Sequence, residues 1–103
     1  MCARLKNVIL SADGDYMLYS VPDAVAGQLD EYCMEFCREW LWKSPHAEKY
    51  RKTVRGTVCV CYNEADFIAY LNQWVSPDEQ SVLLENLGAQ IPEEYRNFPA
   101  FHF

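Results

Sequence analysis

The chain has 103 residues, half of them apolar and 15% aromatic, with charged residues near the globular average. It is therefore read as one domain, 1–103, with a single ring-rich core, and not as a disordered chain. A formal net charge of −6 is unusual for a nucleic-acid binder and modest for a dedicated DNA mimic.

No segment approaches the roughly 20 apolar residues of a membrane span. Met1–Asn7 leads into only Val8-Ile9-Leu10, too short a run for a signal peptide. Five cysteines, an odd number, and the lack of an Asn-x-Ser/Thr site fit reduced thiols. These features predict a cytoplasmic protein that does not enter membranes.

Leu5 to Ser11 and Tyr16 to Val21 are apolar-leaning runs on either side of Ala12-Asp13-Gly14-Asp15, whose Asp-Gly pair suits a turn with positive φ. An antiparallel hairpin follows. Pro22-Asp23 then opens a helix expected to reach about Lys43. Leu29, Tyr32, Cys33, Phe36, Cys37, Trp40 and Leu41 recur on one face, with acids and amides opposite.

Ser44-Pro45 stops that helix and begins a basic stretch. Residues 43–55 carry Lys43, Lys49, Arg51, Lys52 and Arg55 against Glu48 alone, while the segments before and after are acidic. Val54 to Tyr62 reads as a third, largely covered strand, with Val58 and Val60 on one side and Cys59 and Cys61 on the other. Asn63 and Asp66 form the signature of a capping box, and Phe67, Ile68, Tyr70, Leu71, Trp74 and Val75 form the apolar face of the helix it starts.

Ser76-Pro77-Asp78-Glu79 looks like a further helix start, with Val82, Leu83, Leu84 and Leu87 as its stripe and Gly88 as its stop. The chain then ends in Ile91 to Phe103, where two prolines forbid a continuous helix but four aromatic rings must find cover. These elements predict an α+β domain of topology ββαβαα with an aromatic C-terminal tail. The expected sheet has three mainly antiparallel strands in the order 2-1-3, with helices on one face. Its edges stay open unless residues 100–103 add a fourth strand or a second copy pairs there as a homodimer.

No motif commits the chain to a reaction. Gly-x-Ser-x-Gly and His-Glu-x-x-His are missing, and the four glycines are too scattered for a phosphate loop. Cys33, Cys37, Cys59 and Cys61 lack the knuckle spacing of thiolate zinc sites, and Cys with His46 or His102 lacks an exposed positive setting apart from Cys2. Asp13 and Asp15 suit a turn better than a calcium loop, and Asp78-Glu79 and Glu93-Glu94 suit helix starts. The expectation is a non-enzyme with no cofactor and no metal.

Two groups of residues are candidates for holding a partner. Lys49, Tyr50, Arg51, Lys52 and Arg55 combine bases with a ring, which suits an acidic protein patch or, as the alternative, phosphates with one stacked base. Phe98, Phe101 and Phe103 offer apolar anchors. Acids elsewhere make nucleic acid the weaker partner and another protein the stronger one.

Val8-Ile9-Leu10-Ser11-Ala12-Asp13-Gly14-Asp15, Tyr19-Ser20-Val21-Pro22, Cys61 to Asn72 and the ending Pro99-Ala100-Phe101-His102-Phe103 together span nearly the whole chain. In these stretches it resembles small uncharacterised proteins associated with mobile elements of anaerobic Gram-positive bacteria. The resemblance brings no activity and transfers no functional residue; small size, acidic charge, excess aromatics and the lack of a reaction motif suit a non-catalytic protein binder, such as an inhibitor, immunity or anti-defence protein of a mobile element.

Overall fold

The computed structural model describes residues 5–12 and 14–103 and has an α+β architecture. β1 (Leu5–Ser11) and β2 (Tyr16–Pro22) form the expected hairpin, with Leu5 opposite Pro22 and Ser11 opposite Tyr16. Gly14 takes φ 101°, a backbone state that glycine adopts without steric cost; Asp13, its partner in the expected turn, lies outside the described residues.

The long helix is divided. α1 (Asp23–Gly27) ends at Gln28, whose φ of −135° is not helical, and α2 (Leu29–Met34) restarts the chain there. It continues through a π-helical segment, Glu35–Trp40, into α3 (Leu41–Lys43). A 3₁₀ helix, Pro45–Tyr50, follows, with the Ser44 side chain accepting from the His46 amide.

The expected third strand is instead a separate two-stranded hairpin, β3 (Arg51–Val54) with β4 (Thr57–Val60). Its turn residues, Arg55 and Gly56, both have positive φ, at 53° and 80°. Two successive positive φ values match the twist of a tight hairpin, which is why the chain reverses there rather than running on to Tyr62.

The segment after Asn63 is helical as its pattern predicts. The Asn63 side chain accepts from the Asp66 amide at 3.1 Å, and the Asp66 carboxylate accepts from the Asn63 amide at 2.9 Å. α4 (Glu64–Tyr70) then passes into a second π-helical segment, Leu71–Val75.

The helix expected over Val82 to Leu87 is a strand, β5 (Val82–Gly88), antiparallel to β2. The Asn72 side chain directs this outcome. Its amide donates to the Ser81 carbonyl at 3.0 Å and its oxygen accepts from the Ser81 amide at 2.7 Å, which fixes the backbone just where β5 begins. The open backbone edge of β2 then offers a ladder that a local helical stripe cannot match.

β6 (Ala100–His102) lies parallel to β1 on the other edge, so the tail does supply a fourth strand. The main sheet is therefore four-stranded and mixed, in the order β5-β2-β1-β6, in place of the expected three-stranded order 2-1-3. Val8, Leu10, Tyr19 and Val21 face the helices and join Phe36, Leu41, Phe67 and Leu71 in the main core. Ile9 and Leu18 pair on the opposite face and are also buried. The connection 89–99 passes from one edge of the sheet to the other, and its last residue accepts a bond from the Ile9 amide at 2.8 Å.

Candidate partner-binding site

The aromatic tail divides in two. Phe101 and Phe103 pack against the main core, and the Phe103 ring lies 5.5 Å from Phe67 and 5.8 Å from Tyr62. Strand pairing holds them there, because Phe101 sits opposite Leu10 on the helix-facing side of β1. Phe98 lies outside that core. It stacks on Tyr95 at 5.3 Å and lines a groove of about 480 Å³ beside Leu5, Lys6 and Asp23. An exposed Lys6–Asp23 ion pair, 3.2 Å apart, occupies the groove's rim.

The basic stretch is also divided. Arg51 is structural: its guanidinium donates to the Leu41 carbonyl at 3.2 Å and the Ser44 carbonyl at 3.0 Å, closing the end of α3. Lys43 pairs with Glu39 one helical turn away, and that carboxylate raises the ammonium's pKa. Lys52 and Arg55 are exposed on the β3–β4 hairpin, where every residue from Lys52 to Cys59 faces solvent. Val54 and Val58 are 55% and 47% exposed on it.

Cys59 and Cys61 are exposed as well, contrary to the covered strand expected from their apolar surroundings. The reason is that no layer lies over a two-stranded hairpin whose residues 52–59 are exposed on both pleat faces. Cys33 is buried and Cys37 half-buried on the helix. Among the described residues no cluster of three or more His, Cys, Asp or Glu side chains is placed to hold a metal ion. Cys2 lies outside those residues.

Lys49 and Tyr50 belong to a more enclosed feature. The Lys49 ammonium sits 5.1 Å from the centre of the Tyr50 ring. Both line a cavity of about 110 Å³ together with Trp40, His46, Tyr70 and Trp74. Trp40 packs 4.9 Å from Tyr70 and 6.2 Å from Tyr50, and His46 stacks on Trp74 at 4.3 Å. The sequence pattern places Trp40, Tyr70 and Trp74 on core stripes and gives His46 no role. Trp40 and Tyr70 do pack in or against the core, whereas Trp74 lies in the π-helical segment Leu71–Val75, where a π turn inserts an extra residue and rotates the side chains beyond it about the helix axis. Trp74 is accordingly 48% exposed.

Burial and the Glu35 and Tyr32 groups raise the Tyr70 hydroxyl's pKa, and burial and Cys37 raise that of Tyr62. Neither hydroxyl is thereby made a base at neutral pH. Fold and surface together define an α+β domain bearing an exposed basic hairpin with a small aromatic pocket at its base. No family model matches the chain, and no curated protein or solved structure is significantly similar to it. Among the described residues no helix is long and apolar enough to cross a membrane.

Proposed function

We propose that this is a non-catalytic protein-binding module, of the kind that a bacterial mobile element uses as an inhibitor, immunity or anti-defence protein. One observation carries the reading: the β3–β4 hairpin stands exposed with Lys52, Arg55, Val54 and Val58 on a protein that is otherwise acidic. A hairpin with so little cover costs conformational freedom that an intramolecular core does not repay, and a partner's surface would supply the missing contacts. The valines contribute apolar area and the bases select an acidic patch.

The assignment to a mobile element rests on the sequence resemblance alone. Phe98 remains a candidate contact at its groove, whereas Phe101, Phe103 and Arg51 serve the fold. A second copy could pair along the free side of β5, where Val82, Leu83 and Leu84 are about half-exposed. Register shifts in β5 oppose that, since bulged edges pair poorly.

The alternative reading, an accessory protein gripping nucleic acid or phosphate through residues 43–55, loses two of its five bases to internal partners, Lys43 to Glu39 and Arg51 to backbone carbonyls. Gel-shift titration against single- and double-stranded DNA and RNA separates the two readings. No complex is expected at physiological salt. Micromolar binding that weakens with Lys52→Glu and Arg55→Glu, with a log–log salt slope near one unit per phosphate contact, would establish the alternative.

A further inference from the structure

The geometry points to the cavity between the two π-helical segments as an anchor pocket for one carboxylate side chain of an acidic partner peptide, an inference that rests on the protein-binding reading. At about 110 Å³ the space equals roughly three or four waters' share of liquid, too small for a cofactor or drug-sized metabolite and adequate for one side chain. Trp40, Tyr50 and Tyr70 are held in or against the core, so these walls need little ordering when it fills, while His46, Lys49 and Trp74 form its exposed side.

The chemistry of the lining selects the charge. Trp40, His46, Lys49, Tyr50, Tyr70 and Trp74 carry an ammonium, indole N–H groups, phenols and an imidazole, and none carries a carboxylate. Lys49 makes no ion pair with a described residue; its ammonium lies over the Tyr50 ring. Ring edges are the positive part of an aromatic quadrupole, so a carboxylate is accommodated edge-on beside that ammonium. Glu35 approaches Tyr70 from a different groove, lined by Gln28, Glu31 and Tyr32, and Glu39 is paired with Lys43.

Position selects a peptide. Tyr50 leads directly into β3, so the pocket and the exposed bases Lys52 and Arg55 belong to one continuous basic stretch of chain. A chain with one acid in the pocket would lay its neighbouring acids along the hairpin, and the acidic remainder of the surface would repel other placements.

The test is selection of random linear peptides displayed on phage against the full chain, followed by tryptophan-fluorescence titration of a synthetic copy of the commonest selected sequence. Enrichment of Asp or Glu is expected, with affinity reduced about tenfold by Lys49→Gln, which removes one charge-assisted contact. Trp74→Ala should weaken binding comparably, with an unchanged melting temperature reporting that it folds. Acidic peptides that bind Lys49→Gln and Trp74→Ala as well as wild type would overturn the pocket and leave the hairpin reading standing. Selection without acids, or no selection, overturns the pocket; so does inorganic phosphate binding as tightly as the peptide.

Discussion

Phe36 shows how one residue organises this core. It is fully buried and its ring lies 5.2 to 6.2 Å from Trp40, Tyr62, Phe67, Tyr70 and Phe103, joining the long helical run, the loop before α4, α4 itself and the tail. Tyr19, on the opposite wall, links stability to pH. Burial, then the Glu64 carboxylate, push its hydroxyl up to about 12. Below pH 10 the hydroxyl is neutral in folded and unfolded chains alike, and its contribution is intact. Between about 10 and 12 the unfolded chain loses the proton first, so stability falls as pH rises.

The Cys33 thiol is raised in the same direction by burial, Cys37 and Asp30, and extends the decline to lower pH. Urea midpoints are therefore expected to hold steady from neutrality to about pH 8 and to fall above it. Tyr19→Phe should flatten the part of the fall above pH 10; an undiminished slope would show that this hydroxyl ionises in the folded protein. Thiol chemistry reports the other cysteines. Cys59 and Cys61 should react with an aromatic disulfide reagent in the native state and Cys33 only after unfolding, with five thiols in total and no stoichiometric zinc by elemental analysis. One zinc per chain, or a protected Cys59, would contradict the exposed hairpin.

Among the elements, the tail joins the fold through both a strand ladder and two rings. Deleting residues 98–103 strips the β6 ladder from β1 and takes Phe101 and Phe103 out of the core. Each ring contributes roughly 1.5 to 3 kcal/mol when fully buried, and these are partly buried, so a loss of several kcal/mol is expected in thermal or urea melts. An unchanged melting temperature would mean that the rings are not core. The β1–β2 hairpin was legible because Asp13-Gly14 separates two apolar runs, and the start of α4 because Asn63 and Asp66 satisfy each other locally. β5 was not legible: Val82, Leu83, Leu84 and Leu87 fit a helical stripe, and the competing signal is the distant edge of β2 together with the Asn72 side chain. The β3–β4 reversal was hidden because Arg55 occupies a positive-φ position that Asn or Asp usually marks. In the sequence Lys49 and Tyr50 stand out only as part of the basic stretch; the pocket around them was not legible, since π turns leave no clear mark in hydrophobic spacing.

For the whole molecule the decisive property is the separation of charge. Residues 43–55 are basic and the flanking segments acidic, and the fold places the exposed remainder of that basic stretch on a hairpin and beside one pocket. Exposed charges act over a Debye length of about 8 Å at physiological salt, so a short basic strip between acidic surfaces recognises a patch more readily than an extended polyanion. The most direct test is affinity capture from the host cell with nuclease present, comparing wild type with a variant carrying Lys49→Glu, Lys52→Glu and Arg55→Glu. One protein retained in near-stoichiometric amount by wild type and lost by the variant is the predicted result. Retention that disappears on nuclease treatment, or a captured protein that the variant holds equally well, would contradict the hairpin as a protein-binding surface.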